Sequence, residues 1–196
     1  MLTSISPLGE RARHNRWSLT VTWYLAASGA MGAAVGAALG ELGAMLDLPA
    51  DVRAASWAAV AALAVVADAG GFGLPTLRRQ VNEDWLGRYR GWAYGAGFGA
   101  QLGVGVATIV TTGAIYAALA AEVASASMLA GAVIGATFGL ARACPILGAV
   151  GTSGFADLAS RHRRLMALAA PARRATIGIV SACGVALAGA VIGGRL

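Results

Sequence analysis

Apolar residues in this chain run in long unbroken blocks, rather than alternating as in a strand or recurring every three to four positions as in a half-buried helix. Five blocks are long enough for a helix to cross a hydrocarbon core, which takes about 20 residues. They cover about 17–46, 54–74, 91–121, 125–151 and 175–194, and a sixth crossing would require splitting one of them. Blocks three and four are interrupted only by AEVASAS, where Glu122 and small polar residues predict a tight helix–helix turn. The expected architecture is an all-α, polytopic integral membrane helix bundle of about five transmembrane helices, forming a single transmembrane domain over residues 1–196.

Two polar segments between blocks have a composition suited to the membrane surface. RRQVNEDWLGRYRGW mixes arginines with Trp85, Tyr89 and Trp92, the pattern of an aromatic anchor at headgroup level. FADLASRHRRLMALAAPARR sets Phe155, Leu158, Leu165 and Met166 beside basic residues, as an interfacial amphipathic helix does. Solvated basic loops that only set topology are the competing reading of both.

Composition supports the membrane assignment, and charge gives it a direction. The sequence is 58% hydrophobic and 12% charged, about half the usual charge of a soluble domain. All 15 basic residues are arginine, and the net charge is +6. Arg11, Arg13 and Arg16 precede the first block, Arg78, Arg79, Arg88 and Arg90 follow the second, and Arg161, Arg163, Arg164, Arg173 and Arg174 follow the fourth. The alternate connections hold one base, Arg53, with Glu41, Asp47, Asp51 and Glu122, and Arg195 lies at the far end. This asymmetry places the N-terminus in the cytoplasm and the C-terminus outside, in a bacterial cytoplasmic (inner) membrane. It also argues against a nucleic-acid partner, because the positive charge is spread between spans rather than gathered into one stripe. No cleavable signal is expected in MLTSISPLGERARHNRW, and two cysteines inside apolar blocks exclude a secreted disulfide framework.

Glycines recur every four residues: Gly32, Gly36 and Gly40 in the first block, Gly91, Gly95, Gly99 and Gly103 in the third, Gly131, Gly135 and Gly139 in the fourth. That spacing puts small residues on one helix face and predicts close helix packing, within the chain or between copies. Forty residues apart, YGAGFGAQL and IGATFGLAR match at Gly95 with Gly135, Ala96 with Ala136, Phe98 with Phe138 and Gly99 with Gly139. The two blocks cross in opposite directions, as in the inverted repeats of transporters.

Two charges fall inside blocks, Asp68 and Arg142, and intramembrane charge points to function by default. Both lie on the order of 10 Å from the inner surface at 1.5 Å of rise per residue, where a buried pair would answer the cost of each. Gln101, beside the glycine face of the third block, needs hydrogen-bond partners in hydrocarbon, so Asp68, Gln101 and Arg142 form the candidate solute-binding set. Cys144 and Cys183, each seven or eight residues from its block's inner end, are expected at similar depth, leaving a redox couple open beside the inert reading. Pro145 frees backbone carbonyls near Cys144. No metal-ligand or protease motif is present and no cofactor is expected; His14 and His162 both lie in predicted cytoplasmic loops.

FGLARACPILGAV resembles the membrane-embedded electron carriers of the cytochrome c biogenesis and disulfide-reductase family, the CcdA and DsbD type. The likeness covers Gly91 to Gly151. It implies two inverted repeats, each with a cysteine beside a proline kink, passing reducing equivalents from a thioredoxin-like partner to outward-facing proteins. Here only Cys144 carries over, since Val104 occupies the corresponding position of the first repeat, and Cys183 would be an unconventional partner. The leading expectation is a small transporter-type protein moving a small solute or reducing equivalents, with the bilayer and further copies of itself as partners. The alternative is a non-catalytic accessory or assembly subunit of a larger membrane complex.

Overall fold

The computed structural model describes residues 5–76 and 85–193, all helix, turn or irregular chain with no strand among them. The helices are α1 (Pro7–Ala12), α2 (Trp17–Met45), α3 (Ala50–Gly70), α4 (Trp85–Arg88), α5 (Gly91–Gly103), α6 (Ala114–Ala124), α7 (Met128–Ala143, continued by a 3-10 turn, Cys144–Ala149), α8 (Phe155–Ala167) and α9 (Ala169–Ile192). Four segments, Trp17–Met45, Ala50–Gly70, Met128–Ala149 and Phe155–Ile192, are long and apolar enough to cross a membrane, which marks a multi-pass membrane protein. Arg78, Arg79, Arg195 and the last position of the fifth predicted span lie outside the described residues.

The predicted third span is not one helix. It divides into α5 and α6, separated by the non-helical stretch 104–113. That stretch reads VGVATIVTTG, and its β-branched residues lose side-chain freedom in a helix. Gly105 sits at φ 82°, a left-handed conformation that ends α5 and that side-chain-bearing residues rarely adopt. Elsewhere the differences are at boundaries. α3 begins four residues earlier than predicted, taking Asp51 and Arg53 into the helix, and α9 begins at Ala169.

α2 is the axis of the bundle, and the glycines explain why. It runs antiparallel to α7, with Gly32 against Gly135, Gly36 against Gly131 and Gly40 against Ser127. It runs parallel to α5, with Thr20 against Gly95, Tyr24 against Gly99 and Ser28 against Gly103. At each glycine an added Cβ would lie within 3 Å of a backbone atom across the seam, so the backbones themselves are in contact. α5 and α7 therefore flank α2 in opposite directions, as expected of consecutive crossings. The two seams converge at Ser28, which is fully buried and donates its hydroxyl to Gly139 O at 2.9 Å. These glycine faces are filled inside the chain, whereas α9 packs on α3 and leaves Ile179, Val185 and Ile192 exposed.

At one end of α2 the N-terminal segment is latched to the bundle. Ser6 caps α1 by accepting from Gly9 N, and the helix carries Glu10 into a site with no solvent exposure. Its carboxylate accepts from Arg13 Nη2 at 2.7 Å, Thr20 Oγ1 at 2.9 Å and the Tyr94 hydroxyl. Burial penalises the charge on Arg13, and the hydrogen bonds to Glu10 and Tyr94 outweigh that, holding the guanidinium above its ordinary pKa. The arginine-bearing elements α1, α4 and α8 gather at this end, where Arg11 and Arg16 share a cavity with Thr152 and Ser153. Trp85 stacks on Phe98, and Trp23 meets Trp92, forming an aromatic girdle nearby. The amphipathic segment is helical as predicted, with Leu158 buried and Phe155 exposed.

Candidate functional site at the broken helix

The gap between α5 and α6 leaves two helix ends, and each presents backbone groups that its own helix does not satisfy. Arg142 takes the carbonyl end. Its Nη1 donates to Leu102 O and to Gly105 O, both at 2.9 Å, and its Nη2 donates to Thr108 Oγ1 at 2.9 Å. The guanidinium also lies 5.4 Å from the centre of the Phe138 ring, one turn earlier on α7. Asp68, 5% exposed near the end of α3, takes the amide end. Its Oδ1 accepts from Gly113 N at 2.8 Å and its Oδ2 accepts from Thr112 Oγ1 at 2.5 Å. Thr112 Oγ1 in turn accepts from Ala114 N, completing the cap of α6.

The charges match the helix dipoles: the cation holds a C-terminus and the anion holds an N-terminus. Such placement is worth up to about 2 kcal/mol in a partly buried setting. The predicted Asp68–Arg142 ion pair is not formed. The ion pairs among the described residues are Arg13–Glu10 and Arg161–Asp157, and the two membrane charges instead secure opposite sides of one gap. Gln101 is half-buried on α5, one turn before the gap, but the polar contacts of Asp68 and Arg142 run to backbone and to threonines rather than to it. The remainder of the gap is tied to the chain that follows α3, where Thr76 Oγ1 accepts from Val110 N and Pro75 O accepts from the Tyr116 hydroxyl.

The cysteines do not come together. Cys144 begins the 3-10 turn at the arginine-rich end, whereas Cys183 lines a cavity of about 500 Å³ with Ala50, Arg53 and Ser125 at the other end. The length of α7 separates these levels by about 24 Å at 1.5 Å per residue, and a disulfide needs α-carbons within about 7 Å. The expectation of similar depth fails because α9 starts six residues before the predicted span, which moves Cys183 outward. Both thiols are free and exposed.

Two groups that the sequence placed in connections are inside the fold. Arg53 donates to Ala124 O at 3.1 Å, and it borders a cavity of about 260 Å³ with Gly43, Trp57 and Val123. Glu122 was expected in the turn between blocks. The turn is at Ser125–Ser127, with Ala126 at φ 44°, and Glu122 lies within α6 at 1% exposure. A legible signal existed: Glu122 falls seven residues after Ile115, on the same helical face. Comparison with protein-family models, curated proteins and solved structures finds no significant match to this chain.

Proposed function

We propose that this chain is a small transporter of the bacterial cytoplasmic membrane, moving a small solute past the gap between α5 and α6. The observation that supports the reading is the broken crossing itself, with Asp68 and Arg142 capping its two ends. Interrupted membrane helices whose free ends meet near mid-membrane are a recurring basis of transporter binding sites, because irregular backbone at that depth persists only where protein or water satisfies it. Arginine gathered at the α1 end supports an orientation with the N-terminus in the cytoplasm and the C-terminus outside. The solute form of the reading is preferred to electron transfer because Cys144 and Cys183 lie at opposite ends of the bundle. Self-association would use the exposed face of α9, since the glycine seams are filled.

The test is water access to the gap. In a chain with Cys144 and Cys183 replaced by alanine, single cysteines at Ala107 and Thr111 are exposed in proteoliposomes to a charged, membrane-impermeant methanethiosulfonate from either side. Modification of either position is expected. If neither reacts from either side, while a cysteine at Phe155 does, the gap is dry and the transporter reading fails. That result supports instead an accessory subunit docking through α9.

A further inference from the structure

The seam between α2 and α7 contains a carboxyl group that the gap does not use. Glu122 reaches from α6 toward the glycine crossing, so that an added Cβ at Gly135 would lie 3.1 Å from its Oε1. The same glycine meets Gly32 O, so its missing side chain admits both a helix backbone and this carboxyl. Oε2 is buried without a hydrogen-bond partner, and the residue is 1% exposed. An unpaired ionised carboxylate in such surroundings costs several kcal/mol or more, about what drives buried charges to pair or neutralise.

Among the described residues, no element packed around it supplies a compensating charge. On α2 the facing positions are glycines, and Glu41 is exposed. On α3 the one cation is Arg53, whose Nη1 donates to Ala124 O and whose Nε is buried without a partner; it forms no ion pair with Glu122. On α7 the seam residues are Gly131 and Gly135, and Arg142 is engaged at the end of α5. α9 contributes Cys183 beside Ala121 and Ala124, and α6 itself contributes Tyr116, whose hydroxyl is bound to Pro75 O. A metal ion with its shell of oxygens does not fit where a methyl group does not, and no group of three metal-ligating side chains occurs among the described residues.

We propose that Glu122 is a proton-binding site of this protein, carrying a proton while the α2–α6–α7 seam is closed and able to release it only when that seam opens to water. The site stands apart from the gap and does not depend on what the gap carries. Infrared difference spectroscopy of the full chain in lipid at neutral pH, wild type against Glu122→Gln, tests it. The expected result is loss of the carbonyl stretch of a protonated acid in the variant. Loss of ionised-carboxylate bands instead would overturn the proposal. Should the variant not fold, ¹³C-carboxyl glutamate in a Glu10→Gln chain gives the same decision, because Glu10 is the other fully buried glutamate among the described residues. A protonated-acid band that shifts with the isotope supports a neutral glutamate, and a spectrum without one overturns it.

Discussion

Replacing Gly36 by alanine should weaken this fold, and the same replacement at Gly178 should strengthen it. Both glycines lie in apolar helices, so both substitutions gain up to about 1 kcal/mol of helix propensity. They differ in what the new methyl meets. At Gly36 it would stand more than 1 Å inside ordinary contact with Gly131 O, and that obstacle is backbone rather than a side chain able to turn away. Relief requires α2 and α7 to separate, opening a seam that includes Gly32–Gly135 and the Ser28 hydrogen bond. Overpacking of this kind costs about 1–3 kcal/mol and sometimes more, so against the propensity gain a net loss of about 1–2 kcal/mol remains. At Gly178 on α9 nothing lies within 4 Å, so a gain of about 0.5–1 kcal/mol remains. Titrating purified protein in mixed micelles with sodium dodecyl sulfate and following helical circular dichroism gives both values. A Gly36→Ala protein as stable as wild type would refute the backbone-contact reasoning, as would equal losses at the two sites.

Three further outcomes follow from the gap and the thiols. Asp68→Ala strands the Gly113 amide and should cost about 2 kcal/mol, whereas Asp68→Asn keeps an acceptor and should cost less than half as much in the same titration; equal losses would show that the hydrogen bond is not what matters. Arg142→Lys replaces a planar fork by a point charge that cannot reach Leu102 O, Gly105 O and Thr108 together; a loss of about 1.5 kcal/mol is expected, and full retention would contradict the capping role. Copper-phenanthroline oxidation should leave Cys144 and Cys183 unlinked within one chain, so that maleimide labels both before and after reduction; an intramolecular disulfide would contradict their placement at opposite ends.

The crossings at α2, α3, α7 and α9 were legible because a membrane helix needs only length and apolarity, and both are plain in the residues. The glycine faces were equally readable, since spacing by four fixes a face whatever packs on it. What spacing does not encode is the partner: Gly36 finds Gly131 and Gly99 finds Tyr24 through tertiary geometry alone. The break at 104–113 escaped hydropathy because Val104, Val106, Ile109 and Val110 are as apolar as any helix, while the signals against helix, Gly105 and the β-branched run, lie on a different scale. Asp68 and Arg142 stood out as charges in apolar blocks. Their roles did not, because a charge bound to backbone carries no complementary residue that a sequence could display. Glu122 was misplaced for a related reason, as a single carboxyl beside small polar residues reads as a turn when its burial depends on glycines on two other helices.

Ser28 has a consequence for the order of assembly. Its partner carbonyl at Gly139 lies 111 residues further along the chain, so at about 5–20 residues per second it emerges roughly 5–20 s later. During that interval α3 and α5 can already join α2, but the face that α7 covers stays open, and the Ser28 hydroxyl can satisfy itself only on its own helix, one turn back. The central helix thus waits for the partner of its second seam, and the interval in which those glycines are open to other chains is set by translation.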